Sequence, residues 1–240
     1  MADPLLEVTG LYKSFDGATA VDNVSFTVSE SETLGIVGES GSGKTTLARC
    51  VLRAIDPDQG IVRFRTYDGE WTKLHDKTDD ELIPLRQQMQ MVFQDPLACL
   101  NPAMTVVDAI ADPLLIHGLA SPAMAREQAR QLLERVGLAP AERYQNRLPR
   151  QLSGGQQQRV AIARALALEP RVVICDESVS MLDAEVQAEV LSLLRDLQHQ
   201  LGLAKIFVTH DLSVASGFCH RVIVLDKGRI VEEGPGDRLF

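Results

Sequence analysis

Gly38-Glu39-Ser40-Gly41-Ser42-Gly43-Lys44-Thr45 fits the pattern G-x-x-x-x-G-K-[ST], and it stands after the apolar run Thr33 to Val37 and at a helix start near Lys44. Glycines let the backbone wrap closely around phosphates, and the amides from Ser40 to Thr45 face the positive end of the helix. Lys44 brings a point charge to the β and γ phosphates, and the Thr45 hydroxyl suits a Mg2+ ligand. Gly38, Ser40, Gly41, Ser42, Gly43, Lys44 and Thr45, with Thr46 following, form the candidate nucleotide-binding set. The rival reading is a Gly/Ser-rich turn with a stray lysine; the flanking strand and helix count against it. By itself the loop implies nucleotide binding and nothing finer.

On either side of this loop the sequence alternates between short β-type segments and helical periodicity. Leu5 to Thr9, Val24 to Val28 and Thr33 to Val37 read as strands separated by the turns Asp16-Gly17 and Asp22-Asn23. The helix from Lys44 is expected to end before Asp56-Pro57-Asp58-Gln59-Gly60. The strands Ile61 to Thr66 and Gln90 to Phe93 follow, the second stopped by Pro96. Helical periodicity covers Val106 to His117, Pro122 to Val136 and Gln156 to Leu168. Beyond it come a strand at Val172 to Cys175, a helix at Ala184 to Leu201, a strand at Lys205 to Thr209, a short helix, and a strand at Val222 to Leu225. Strands alternating with helices of this length predict an α/β fold with a parallel sheet and helical crossovers.

Composition narrows the partners. The chain has 240 residues, 45% of them apolar and 5% aromatic, enough for one large domain whose core is mainly aliphatic. A net charge of -9 repels a phosphate backbone, which argues against nucleic acid. Cys50, Cys99, Cys175 and Cys219 are widely spaced with no CxxC pair, which suggests neither a zinc site nor a disulfide framework. The opening MADPLLEVTG has no basic region followed by an apolar stretch, and no segment approaches the roughly 18 apolar residues of a membrane span. If membranes matter, another chain crosses them.

Further motifs carry chemistry. Val172-Val173-Ile174-Cys175-Asp176-Glu177 is an apolar strand ending in two acids; Asp176 would hold Mg2+, and Glu177 could polarise an attacking water as general base. His210 follows another apolar strand and should emerge at the same sheet edge, where it could touch the γ phosphate. Alone, such a histidine is more often a capping or surface residue, and only its company singles it out. The side chain of Gln94 could ligate Mg2+ and orient water from a mobile loop. Leu152-Ser153-Gly154-Gly155-Gln156 precedes a helix rich in Gln, Arg and Ala, a second anion site at a helix start. Two such sites but one lysine cradle suggest a head-to-tail pair of chains, with each nucleotide clamped between them.

The strings GESGSGKT, LSGGQ and VVICDE, then Ser180-Met181-Leu182-Asp183 and the His210 segment, resemble the ATPases of ABC transporters in kind and order over almost the whole chain. The resemblance implies a P-loop NTPase fold of the ABC type, with a mixed sheet, an antiparallel N-terminal β part and a helical subdomain. It implies a single domain, 1–240, with a RecA-like core at about 1–95 and 165–240 and the LSGGQ-bearing helical subdomain at about 96–164. It also implies ATP and Mg2+ as cofactors. Carried over by position, Phe15 stacks on adenine, Gln94 belongs to the coupling loop, and Glu177 and His210 are the base and the switch histidine. Ser153, Gly154, Gly155 and Gln156 meet the partner's nucleotide, with Ser153 and Gly155 at its γ phosphate, and Asp183 links the two sites.

The implied partners are membrane permease subunits, a second ATPase subunit, identical or homologous, and an external solute-binding protein; the implied place is the cytoplasmic face of the membrane. VFQDPLACLNPAMTV, IADPLLIHG, LSGGQQQRVAIARALALEP and GRIVEEGPGDRLF are similar to the oligopeptide, dipeptide and nickel importer branch, so peptide is the cargo the likeness implies. Ser178 and Met181 depart from that branch, which usually has proline and alanine there. Its members usually also continue past the position of Phe240, which implies a truncated chain or a short subunit. The rivals are a soluble ABC-type ATPase of translation or DNA repair, a metabolic P-loop kinase and a non-hydrolysing cassette.

Overall fold

Alternating burial builds the first hairpin. In β1 (Pro4–Phe15) and β2 (Ala18–Ser29), Leu6, Val8 and Leu11 face Val24, Phe26 and Val28 in the core, while the intervening residues are exposed or half-buried. Asp16 and Gly17 join the strands, both with positive φ, as a two-residue hairpin turn requires. Asp22-Asn23, expected to separate strands, lies inside β2: Asn23 takes φ 53° and the pairing slips there, so the pair makes a bulge and the strand continues. The computed structural model describes residues 3–239, so Phe240, the last residue of the GRIVEEGPGDRLF ending, lies outside the described residues.

The chain divides into two compact units. The first holds the described residues up to Met89, Arg171–Glu177, and those from Leu197 onward; the second holds Gln90–Pro170 and Ser178–Asp196. In the first, β4 (Gln59–Arg65) and β5 (Trp71–Lys73) extend the hairpin into an antiparallel sheet of order β2-β1-β4-β5. The other sheet contains β3 (Thr33–Val37), β7 (Val172–Asp176), β8 (Ala204–Thr209), β9 (Arg221–Asp226) and β10 (Arg229–Pro235), with β10-β9-β3-β8-β7 as successive neighbours. All these pairs are parallel except β9 with β10. Every residue of β3, β7 and β8 is buried, which is why they read as apolar runs without alternation. The α/β fold with a mixed sheet and an antiparallel N-terminal part is thus as expected.

Helix α1 (Lys44–Val51) follows β3 and stops at Val51, short of the Asp56-Pro57 turn. The strand β5, the helix α2 (Asp79–Gln88) and the edge strand β10 add to the expected elements. The short β5 pairs along one edge and has no apolar run of its own. In α2 Pro84 masks a helix whose start is marked by the Thr78/Glu81 capping box. The chain enters the second unit through β6 (Met89–Val92). There α3 (Val106–Ile116), α4 (Pro122–Arg135) and α5 (Gly154–Leu166) are each capped by a hydroxyl, from Thr105, Ser121 and Ser153. Helix α5 begins two residues before the expected Gln156. The last long helix, α6 (Ala184–Leu201), starts in the second unit, and α7 (Leu212–Phe218) belongs to the first. Among the described residues no helix is long and apolar enough to cross a membrane.

Candidate active site

In the first unit three strand ends meet at one sheet edge. Val37 of β3 pairs with Thr209 of β8, and Asp176 of β7 pairs with Val208. Gly38, Glu177 and His210 therefore leave the sheet side by side at its carboxyl end, where open α/β sheets bind ligands. The phosphate loop closes on Gly43, at φ 101°; a Cβ there would run into the Ala20 carbonyl, so backbone and space both demand glycine. From outside, the β9–β10 turn braces the loop: Gly228 N donates to Ser42 O at 2.9 Å, and Asp22 N donates to Gly228 O at 2.8 Å. Ser42 Oγ is buried without a hydrogen-bond partner, an orphan that a phosphate oxygen would satisfy.

Lys44 is only 4% exposed. Its Nζ donates to the carbonyls of Gly38 and Glu39, both at 2.8 Å, and lies 4.0 Å from Glu177 Oε1. Burial lowers its pKa below the usual lysine value, and the charges of Glu177 and Asp176 pull the other way. Asp176 is 5% exposed and accepts from Thr45 Oγ1 at 3.0 Å. Burial raises its pKa, with the Thr45 hydrogen bond opposing. Both charges are thus held where solvent does little for them.

Glu177 sits at φ 47°, and its N–H donates to Val208 O at 3.0 Å. That left-handed step turns the chain off the strand, so neighbouring acids take different surroundings. One Glu177 oxygen faces Lys44; the other, Oε2, lies 3.5 Å from Nδ1 of the exposed His210. Phe15 ends β1 with 44% of its surface open, and Lys13 Nζ is 5.2 Å from its ring centre. Such a ring offers a stacking face to a base. Thr45 and Thr46 stand half-buried in the first turn of α1.

The remaining candidates lie in the second unit. Gln94 follows β6, and its Nε2 donates to Ser180 Oγ at 3.4 Å. Ser153 caps α5: its Oγ accepts from Gln156 N at 3.3 Å, and Gln156 Oε1 accepts from Ser153 N at 3.1 Å. Gly154 is exposed in the first turn. Gly155 is buried against α6 so closely that a Cβ would overlap Val186. Asp183 Oδ1 accepts from Val186 N at 3.1 Å at the start of α6. Ser178 is buried with its hydroxyl unpartnered, and Met181 is exposed. Two supporting residues lie outside the expected set: Gly228, whose signal in the sequence is only a turn dipeptide, and Ser180, whose neighbours in the chain give no sign of its contact with Gln94.

A lysine-bearing phosphate loop at the carboxyl edge of a buried parallel sheet, with two acids on a nearby strand end, defines a P-loop nucleotide-binding protein. The family model described as ABC transporter matches residues 21–180. A Brucella ovis protein named as a peptide import ATP-binding protein is 45% identical over 99% of the chain and 74% of that protein. The glutathione import ATP-binding protein GsiA of Salmonella paratyphi A is 43% identical over 99% of the chain, which spans 39% of GsiA. Among solved structures, the dimeric ATP-binding cassette MJ0796 in a post-hydrolysis state with ADP and Pi superposes with a TM-score of 0.84 at 33% identity, covering 96% of this chain and 98% of that one. The chain belongs to the ABC transporter family. It is an ATP-binding, ATP-hydrolysing subunit with a role in transport, not the soluble ATPase or the kinase weighed above.

Proposed function

We propose that the chain drives uptake of a peptide-class solute, hydrolysing ATP between two copies, or between itself and a homologous ATPase, docked on membrane permease subunits. The observation that carries the chemistry is the convergence of Lys44, Asp176, Glu177 and His210 at one sheet edge. In this reading Phe15 stacks on the adenine, and Gly38, Ser40, Gly41, Ser42, Gly43, Lys44, Thr45 and Thr46 hold the phosphates. The second copy closes the site with Ser153, Gly154, Gly155 and Gln156, and Asp183 joins one site to the other. Two relatives support the cargo class, one named for peptide import and one for glutathione import, glutathione itself being a short peptide.

The residues present fit Mg2+. Asp176 is a buried carboxylate whose nearest partner is the Thr45 hydroxyl, an oxygen pair suited to a hard cation that shares its other positions with phosphate and water. Thr45, Asp176 and Gln94 are the proposed ligands. Mg2+ bound there would neutralise charge on the phosphate oxygens.

Glu177 takes a proton from water as the water oxygen bonds to the γ phosphorus and the bond to the β-bridging oxygen breaks. Lys44 stabilises the charge moving onto the bridging oxygen. His210, beside Glu177, orients the base and the γ phosphate. The region from Gln94 to about Gly118 meets the permease on the cytoplasmic face of the membrane, the helical part at about 96–164 moves with it, and an external solute-binding protein delivers cargo. Nucleic acid has no place in this reading, given the -9 charge. The test is Glu177→Gln: turnover falls by about 10²-fold or more while ATP binding and ATP-driven dimerisation persist. Near-normal turnover in that variant rejects the role assigned to Glu177.

A further inference from the structure

We propose that Ser180 is a positioning residue for Gln94, and that the turn at residues 178–183 ties Gln94 to the start of the LSGGQ helix. The inference rests on the proposed role of Gln94 in ATP hydrolysis and names what holds that side chain in place. Every residue in it belongs to the second unit.

Gln94 lies in the exposed stretch after β6, and its side chain has several freely rotating bonds to order. The 3.4 Å hydrogen bond from Nε2 to Ser180 Oγ restrains it. With the amide nitrogen engaged, Oε1 is the end left to face a cation or a water, the orientation that hydrolysis needs. The hydroxyl, which can donate as well as accept, restrains where the side chain lies.

The far side of the same turn rests on the LSGGQ helix. Val186, three residues into the helix that the turn leads into, leaves no room for a side chain on Gly155. Between these contacts the turn is braced from within. Leu182 N donates to Val179 O at 3.2 Å, Gln187 N to Asp183 O at 2.8 Å, and Val186 N to Asp183 Oδ1 at 3.1 Å. A packed, hydrogen-bonded segment moves as a piece. A displacement of Ser153 to Gly155, such as engagement by a second copy would cause, is thus carried through Val186 and Asp183 to Ser180 and on to the Gln94 amide. Gly155 acts in this as the seat for α6, as well as presenting a backbone amide.

Steady-state ATP hydrolysis by the full chain, with Ser180→Ala, Ser180→Thr, Gln94→Ala and the Gln94→Ala/Ser180→Ala pair, tests the tie. Ser180 is exposed, so Ser180→Ala keeps the unfolding midpoint of the wild type. It should lower kcat roughly fivefold and leave the KM for ATP within about twofold, while Ser180→Thr, which keeps the hydroxyl, restores the rate. Added to Gln94→Ala, Ser180→Ala should cost nothing further. Wild-type kcat in Ser180→Ala while Gln94→Ala is slow overturns the tie and leaves the role of Gln94 standing; so does a full multiplicative loss in the pair. Wild-type turnover in Gln94→Ala removes the role of Gln94 and the tie with it.

Discussion

The two helix starts that face phosphate in this account are built in opposite ways. At α1 the protein buries charge: Lys44 and Asp176 are almost fully covered, and burial moves the pKa of each towards its neutral form. At α5 it presents neutral groups: Ser153 and Gln156 satisfy each other in a capping box, and Gly154 lies exposed. The first start is costly while empty and is relieved by a ligand carrying phosphate charge and a cation. The second is satisfied while empty, so it can stand on a surface and wait for a ligand held by another molecule. That difference is what a shared site calls for: one half that grips strongly, and one that completes the grip and lets go.

The contrast can be broken at either end. The larger stability effect is expected at the neutral start, where Gly155→Ala forces a methyl group into Val186. We expect a loss of about 1–3 kcal/mol in denaturant unfolding, as overpacking typically costs, and a steep fall in turnover. A variant with wild-type stability and turnover would show that the close approach to α6 is not needed.

The smaller effect has the opposite sign. The folded-state pKa of Asp176 is raised, so its stabilising contribution is present below the ordinary carboxylate value of 3.8 and is lost as pH rises through the folded value. At neutral pH its charge is a burden on the empty protein. Asp176→Asn keeps an acceptor for the Thr45 hydroxyl and removes the charge. It should raise the Tm of the nucleotide-free chain by a few degrees at pH 7, with the gain shrinking towards pH 4, and should abolish turnover. Thermal scans at the two pH values check the sign, and a lowered Tm at pH 7 would refute the electrostatic contrast.

These halves also differ in how much the sequence disclosed. The phosphate loop was legible because its requirements are local: an apolar strand, a glycine pattern and a helix follow one another within about twenty residues. The strand ends carrying Asp176 and His210 were legible for the same reason, since a run buried on both faces leaves a plain apolar signature. What stayed hidden depends on contacts between distant segments. Gly228 steadies Ser42 from 186 positions away, Val186 makes Gly155 necessary, and Ser180 reaches Gln94 across 86 positions. The left-handed step at Glu177 was hidden too, because a non-glycine residue gives no sign of a positive φ. Asn23 misled in the opposite direction, its turn-like character producing a bulge within a strand.

The measurement that bears most directly on the shared site is ATP turnover per chain as a function of chain concentration, with sedimentation in the same buffer reporting the fraction paired. Turnover per chain should vanish at high dilution and rise in step with the paired fraction. A population that sediments wholly as single chains yet hydrolyses ATP at the full rate would mean that the lysine cradle works without the serine-glycine turn of a second molecule.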